Sequence, residues 1–273
     1  HALDILRKQG WQNYEQITVL FNPDEEIGST GSGEIIADEG ASQDVVLSFE
    51  PSPARAMLGA EGVLLGAAGT GQAVLTVEGR AAHAGSAPDQ GRNALLELSH
   101  QLLQTEKVAD DMDDAQLNWT TAHAGLKRNQ IPADAQASGD VRIFSEEAGE
   151  RLLAALNEKV SESQLVPDTQ VSVRLEPGRP PYMAGEKGIA LARKAQAIYD
   201  ELDGRNLILI PRTFGGTDAG YAGRSGNPAV LESLGLAGWG YHAKNEYIEI
   251  DSIVPRLYLA SRLMMELGDE YAQ

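Results

Sequence analysis

The sequence predicts an α/β domain interrupted by an inserted α+β domain. Three observations carry that expectation. Apolar, β-branched runs alternate with helical patterns at both ends of the chain. Between them six elements follow in the order strand, helix, strand, strand, helix, strand, which is the ferredoxin-like arrangement. The junctions are a glycine-rich stretch, Gly66–Gly71, and a proline-rich one, Pro177–Tyr182. The expected boundaries are 1–68 and 179–273 for the α/β domain and 69–178 for the insert. A chain of 273 residues is long enough for one large or two ordinary domains.

The elements read as follows. In HALDILRKQG the residues Ala2, Leu3, Ile5 and Leu6 recur at helical spacing, and Gly10 is a stop signal. No capping residue precedes this helix, so the natural protein is expected to extend further toward its N-terminus. Gln16–Phe21 reads as a buried strand that ends in the acidic loop FNPDEEIGST. A helix over Gly31–Glu39 and a second strand over Val45–Phe49 follow, the latter running into Glu50 and Pro51. In the insert, strands are expected at Gln72–Glu78, Gln116–Ala124, Asp134–Phe144 and Gln170–Glu176, with helices at Asn93–Gln104 and Glu146–Ser161. Beyond it come a helix over Gly188–Glu201, the strand LILIP, the loop FGGTDAGYAG, the strand PAVLES, the loop GWGYHAKNEY and a long helix over Asp251–Glu266.

Composition excludes several classes. With 22 Lys and Arg against 40 Asp and Glu, the formal net charge is −18. Neither a nucleic acid nor an anionic membrane surface suits such a chain, because both need a basic face. No apolar run approaches the length of a membrane span, and no signal peptide is visible. There is no cysteine, which removes disulfides, thiolate metal sites and a cysteine nucleophile. Any metal must be held by histidine and carboxylate. The compartment stays open between cytoplasm and periplasm.

Three consecutive acids, Asp24, Glu25 and Glu26, end the first expected strand, and Glu50 ends the second. A short acidic run can simply be a solvated turn. If the two strands are neighbours in a parallel sheet, however, their carboxyl ends open on one crevice. Adjacent carboxylates there repel unless a cation or a proton settles them. His242, in a loop flanked by glycine and aromatic residues, is a candidate ligand, although a loop histidine can equally serve as a hydrogen-bonding group. His83 follows the first strand of the insert, whereas His100 within a helix and His123 near a strand end read as structural. Imidazole and carboxylate are donors that zinc accepts when no thiolate is on offer. One of two neighbouring acids could bind the metal while the other moves a proton. The loop FGGTDAGYAG lacks the spacing and the lysine of a phosphate-binding loop and fits a turn that lets backbone approach a substrate.

The segments FNPDEEIGSTGS, LSFEPS, GRAAHAGSAPDQGRNAL, NQIPADAQASGDVR, GRPPYMAGEKG, GGTDAGYA and ESLGLAGWGYHAKNEYI, in this order, resemble the co-catalytic dizinc exopeptidase family of aminoacylases and carboxypeptidases. The resemblance covers nearly the whole chain and is nearest to the bacterial glutamate carboxypeptidases of that family. It implies a phosphorylase/hydrolase-like zinc exopeptidase domain, present here in part, with a ferredoxin-like lid and dimerisation domain inserted. It implies two zinc ions per subunit, Glu25 as the general base on the metal-bridging water, Glu26 and His242 on one zinc and Glu50 on the other. His83 would reach the partner subunit's site and steady the oxyanion. Asn129, Arg142, Arg179, Gly216 and Thr217 would position a substrate carboxylate. The family's upstream HxD motif and later aspartate have no counterpart in these residues, so the metal site is not expected to be complete within them. The lysine and serine that favour a glutamate side chain near the lid hinge are replaced by a stretch containing Glu61, Gly62 and Val63. The activity implied is hydrolysis of an amide next to a free carboxylate, on a small peptide or, alternatively, an N-acyl amino acid, by a homodimer. A dimerising fragment without catalysis is the other expectation.

Overall fold

Short parallel strands whose partners lie far away in the sequence build one part of the molecule, and long antiparallel strands build the other. A computed structural model describes residues 1–271. They divide into two compact units, one formed by residues 1–67 with 182–271, the other by residues 68–181.

The second unit follows directly from its pattern. Strands Gly69–Glu78, Ala115–Ala124, Asp134–Ile143 and Gln170–Pro177 form one antiparallel sheet. Its order places 170–177 beside 69–78, then 134–143, then 115–124, the ferredoxin-like topology. Alternation with period two sends Ala135, Ala137 and Val141 inward. There they meet Leu98 of helix Ala94–Thr105 and Leu152 and Leu156 of helix Glu146–Glu162. Each helix starts where a side chain satisfies its free N–H groups. The Asn93 Oδ1 accepts from Leu95 N at 3.1 Å, and the Ser145 hydroxyl accepts from Ala148 N at 3.1 Å. Glu97 is fully buried but not idle: it accepts from the backbone N–H groups of Leu165 and Val166 at 2.9 and 2.7 Å, which ties down the loop after the second helix.

In the first unit, Val45–Leu47 pairs in parallel with Ala229–Leu231, and Glu61–Leu64 with Leu207–Ile210. Ser52–Pro53 runs parallel to Ala237–Trp239, which turns back through a hairpin to Tyr247–Ile248. Helices Glu186–Tyr199 and Ile253–Tyr271 cover this core through Leu191, Ile198, Leu259 and Leu263. The charged residue Glu61 begins a strand in the middle of the core. It accepts hydrogen bonds from Tyr199, Arg205 and Arg256, the last through Nε at 3.0 Å. The Arg256 Nη2 reaches Ser52 Oγ at 2.5 Å. The C-terminal helix is thus bolted to the segment that follows Glu50. Because Glu61, Gly62 and Val63 are all buried in a strand, they line no solvent-facing hinge pocket, which removes them from any argument about side-chain preference.

The expected buried strand at Gln16–Phe21 does not form. Val19, Leu20 and Phe21 are 52%, 41% and 91% exposed, and the segment joins no sheet among the described residues. Its β-branched composition describes a side-chain surface that needs a neighbour rather than a backbone preference. Nor do 16–21 and 45–49 lie side by side in a ladder, since Val45–Leu47 pairs with Ala229–Leu231. The acidic loop is instead placed by helix Gly33–Ala41, which packs on the short helix Ala219–Ala222. A Cβ at Gly33 would stand 2.6 Å from the Tyr221 ring, and one at Gly40 2.5 Å from the Ala222 carbonyl oxygen, so only glycine permits this approach. Among the described residues, no helix is long and apolar enough to cross a membrane.

Candidate metal centre

Glu25 and Glu26 lie in a single 3₁₀ turn, Glu25–Ile27. The turn closes through Gly28 N to Glu25 O at 2.9 Å and Ser29 N to Asp24 O at 2.8 Å, with both Gly28 and Ser29 in the left-handed region. Asp24, the first of the three acids, faces inward on its own loop. Its carboxylate accepts from Gly31 N at 2.7 Å, from Ser32 N at 3.3 Å and from Ser32 Oγ at 2.5 Å. The Ser32 hydroxyl, then the backbone N–H groups, hold the Asp24 carboxyl below its ordinary value. One acid of the run therefore organises the turn, while Glu25 is half-buried and Glu26 exposed. This division was not visible in the sequence, although a serine and a glycine in the right places downstream are the signal for it.

His242 sits at the tip of the hairpin between Ala237–Trp239 and Tyr247–Ile248, with φ of 61°. A left-handed histidine is uncommon and marks a backbone held by its surroundings. Two contacts hold it. Gly240, at φ 77°, starts the turn, and Ala243 N bonds to its carbonyl at 2.9 Å. The Tyr241 hydroxyl lies 3.1 Å from Ser52 O and 2.9 Å from Gly238 O. Burial pushes that hydroxyl up to about 12, so it remains a donor. The hairpin tip is in this way folded back toward Ser52, two residues after Glu50.

The outcome is that His242 Nδ1 lies 3.6 Å from Glu26 Oε2, with both side chains 76% exposed. The gap is too long for a hydrogen bond. It is close to the separation of two donors on one tetrahedral zinc, roughly 3.3–3.5 Å for Zn–N and Zn–O bonds of about 2.0–2.2 Å. In donor type and spacing the pair fits a zinc ion. Among the described residues, no group of three or more His, Asp or Glu side chains is arranged to hold a metal ion. Glu50 lies two residues before Ser52–Pro53, and its carbonyl accepts from Gly235 N at 2.9 Å.

Thr217 and Gly216 lie in the loop after Leu207–Ile210. The Thr217 hydroxyl is buried and donates to Glu232 Oε2 at 2.6 Å, while Gly216 is half-buried. Glu232 is itself fully buried and also accepts from Ser233 N at 2.6 Å and from Ser48. Burial raises its carboxyl above the ordinary range, and the hydrogen bonds from Ser48, Thr217 and Ser233 pull the other way.

The remaining expected residues belong to the second unit. His83 and Asn129 lie on adjacent segments: Ala82–His83 pairs with Gln130–Ile131, and Ala84 N bonds to Asn129 O at 2.9 Å. The His83 Nδ1 accepts from the backbone N–H groups of Gly85 and Ser86, both at 3.1 Å. A proton on Nδ1 would point at two donors, so the neutral ring carries its proton on Nε2, a tautomer set by the backbone. Arg142 already makes a two-pronged contact with Asp140, through Nε at 2.8 Å and Nη2 at 3.1 Å. Arg179 is 7% exposed, and its backbone N–H bonds to Thr70 Oγ1 at 3.1 Å. His100 bonds to Ser163 Oγ at 2.9 Å, in line with a structural role.

Comparison with known proteins adds the following. Residues 65–166 match the peptidase dimerisation domain. Carboxypeptidase G2 of Pseudomonas sp. (strain RS-16) is 45% identical over 269 residues, 98% of this chain and 63% of that enzyme. N-acetyldiaminopimelate deacetylase of Streptococcus thermophilus (strain CNRZ 1066) is 27% identical over 176 residues, 62% of this chain and 45% of the deacetylase. The chain therefore spans less than two thirds of either relative. Among solved structures, a tripeptidase from Staphylococcus aureus subsp. aureus mu50 superposes with a TM-score of 0.72 at 16% identity, covering 98% of this chain and 68% of the tripeptidase, which is a likeness of fold.

Proposed function

We propose, from the match of residues 65–166 to the peptidase dimerisation domain and the 45% identity to carboxypeptidase G2 over 98% of this chain, that the complete protein is a zinc-dependent exopeptidase or amidohydrolase that cleaves an amide next to a free carboxylate. The observation that carries the reading is the convergence of His242 Nδ1 and Glu26 Oε2 at 3.6 Å on two exposed loops.

Glu26 and His242 would bind one zinc and Glu50 a second, with further ligands outside this set. Zinc bound there polarises the scissile carbonyl and acidifies water. Glu25, adjacent to a ligand on a rigid 3₁₀ turn, would take the proton of the attacking water and deliver it to the leaving nitrogen. His83 would donate a hydrogen bond from its Nε2–H to the oxyanion of the tetrahedral intermediate, the partner subunit supplying it through a homodimer of the ferredoxin-like unit. The backbone contacts at Nδ1 support that role, since they leave the donor end of the ring outward. Asn129, Arg142, Arg179, Gly216 and Thr217 would orient the substrate's carboxylate end.

The same residues serve peptides and N-acyl amino acids, and the deacetylase among the relatives keeps the second class in view. Hydrolysis of a panel of dipeptides and N-acyl amino acids by the full-length protein, with and without a chelator, tests the proposal. Zinc-dependent release of a free C-terminal amino acid is the expected result. Absence of turnover on every member of the panel, or turnover insensitive to chelation, contradicts it.

A further inference from the structure

The turn that carries Glu25 and Glu26 is gripped by a residue with no role in the account so far. The carboxylate of Asp218 accepts from Asn22 Nδ2 at 2.6 Å and from Ser29 Oγ at 2.5 Å. These two donors bracket the turn on either side. The Asn22 amide also reaches Ser29 Oγ and Ser32 Oγ, each at 3.3 Å, which joins the grip to the Asp24 loop on the far side. Ser29 is buried and left-handed, with φ of 54°. A serine rests in that region only when its surroundings hold it, and the bond to Asp218 is one such constraint. Tyr221, three residues further on, donates to the Gly28 carbonyl at 3.3 Å.

The residue before Asp218 faces the other way. Thr217 donates to buried Glu232, which in turn takes Ser48, two residues before Glu50. Neighbouring residues in one loop therefore serve both segments: Asp218 bonds directly to Asn22 and Ser29, beside Glu25 and Glu26, and Thr217 reaches Ser48, before Glu50, through Glu232. We propose that Thr217–Asp218 is a strut that registers the two glutamate-bearing loops, with Asp218 the positioning residue that sets Glu26 against His242. The proposal deepens the metallohydrolase reading and rests on it for its consequence. A partner that orients a metal ligand through a hydrogen bond is worth about 10–100-fold in metal affinity or activity.

The test uses the full-length protein, isothermal titration with zinc alone, and hydrogen exchange at the backbone amides of Ser29 and Gly31. Asp218→Asn should weaken zinc binding by about 10–100-fold, lower kcat by a similar factor while KM moves little, and speed exchange at both amides. The double variant Asn22→Asp with Asp218→Asn reverses donor and acceptor and should recover part of the zinc affinity. Zinc affinity and exchange unchanged in Asp218→Asn would overturn the strut. Wild-type protein that binds no zinc would instead overturn the metallohydrolase reading, while the exchange rates still judge the strut. If Asp218→Asn fails to fold, Ser29→Ala removes one hydroxyl of the grip and should show the same faster exchange at Gly31; unchanged exchange there overturns the proposal.

Discussion

His242 Nδ1 and Glu26 Oε2 stand 3.6 Å apart, and each arrives there on a backbone that the fold has to hold in place. The histidine is left-handed at the tip of a hairpin, and the glutamate rides a 3₁₀ turn closed by Gly28 and Ser29. The pair lacks a hydrogen bond, faces solvent and has the spacing of two ligands on one ion. The predictions below follow from this arrangement and from the scaffold beneath it.

Glu25→Gln in the full-length protein should leave zinc stoichiometry intact and reduce kcat by about two to four powers of ten, the usual contribution of a general base. The substitution keeps the shape of the side chain and removes its proton affinity. Steady-state kinetics beside a metal assay check it, and wild-type turnover would reassign the base.

His83→Ala should lower kcat without changing the thermal midpoint, because the ring is exposed and its bonds among the described residues are to two loop N–H groups. Mixing it with Glu25→Gln should restore part of the activity if the histidine works across a dimer. Nitrogen NMR of the wild-type ring should report the proton on Nε2.

Glu61→Gln should destabilise the protein by about 3–5 kcal/mol in urea unfolding, the range for removing one partner of a buried ion pair. Arg256, 2% exposed, loses its counter-charge, and Arg205 is left with Asp251 alone at 3.1 Å. The exposed pair Arg224–Glu34 provides the contrast: Glu34→Gln should leave the midpoint essentially where it is.

Glu232 predicts a pH dependence. Its folded-state carboxyl is raised above the ordinary 4.5 by burial. Its contribution to stability is therefore complete below about that pH and is lost as pH rises through the folded-state value. Glu232→Gln removes the titration. Its stability relative to wild type should increase from pH 4 upward, by at most about 1.4 kcal/mol per pH unit, and then level off. A constant difference across the range would show that the carboxyl titrates alike in the folded and unfolded states and would contradict the raised value.

The ferredoxin-like unit was largely legible in the sequence, because its strands and helices are long and their burial is local. Alternation in Asp134–Ile143 and the caps Asn93 and Ser145 can be read without knowing what lies across the sheet. The other unit resists such reading. Its strands are three or four residues long and are defined by partners far away, as Val45–Leu47 is by Ala229–Leu231. Gln16–Phe21 has the composition of a strand and no ladder. Glu61 looks like a hinge residue until Arg205 and Arg256 are seen around it. At the site, Glu26 and His242 stand out by motif, but the grip of Asp218 on Asn22 and Ser29 depends on hydrogen bonds between distant loops, which no local pattern records.

The most direct measurement is a crystal structure of the full-length protein grown with zinc, with data collected at the zinc absorption edge. An anomalous peak about 2.0–2.2 Å from both His242 Nδ1 and Glu26 Oε2 is the predicted result. A zinc peak that touches neither, with the imidazole and the carboxylate turned away from each other, would contradict it.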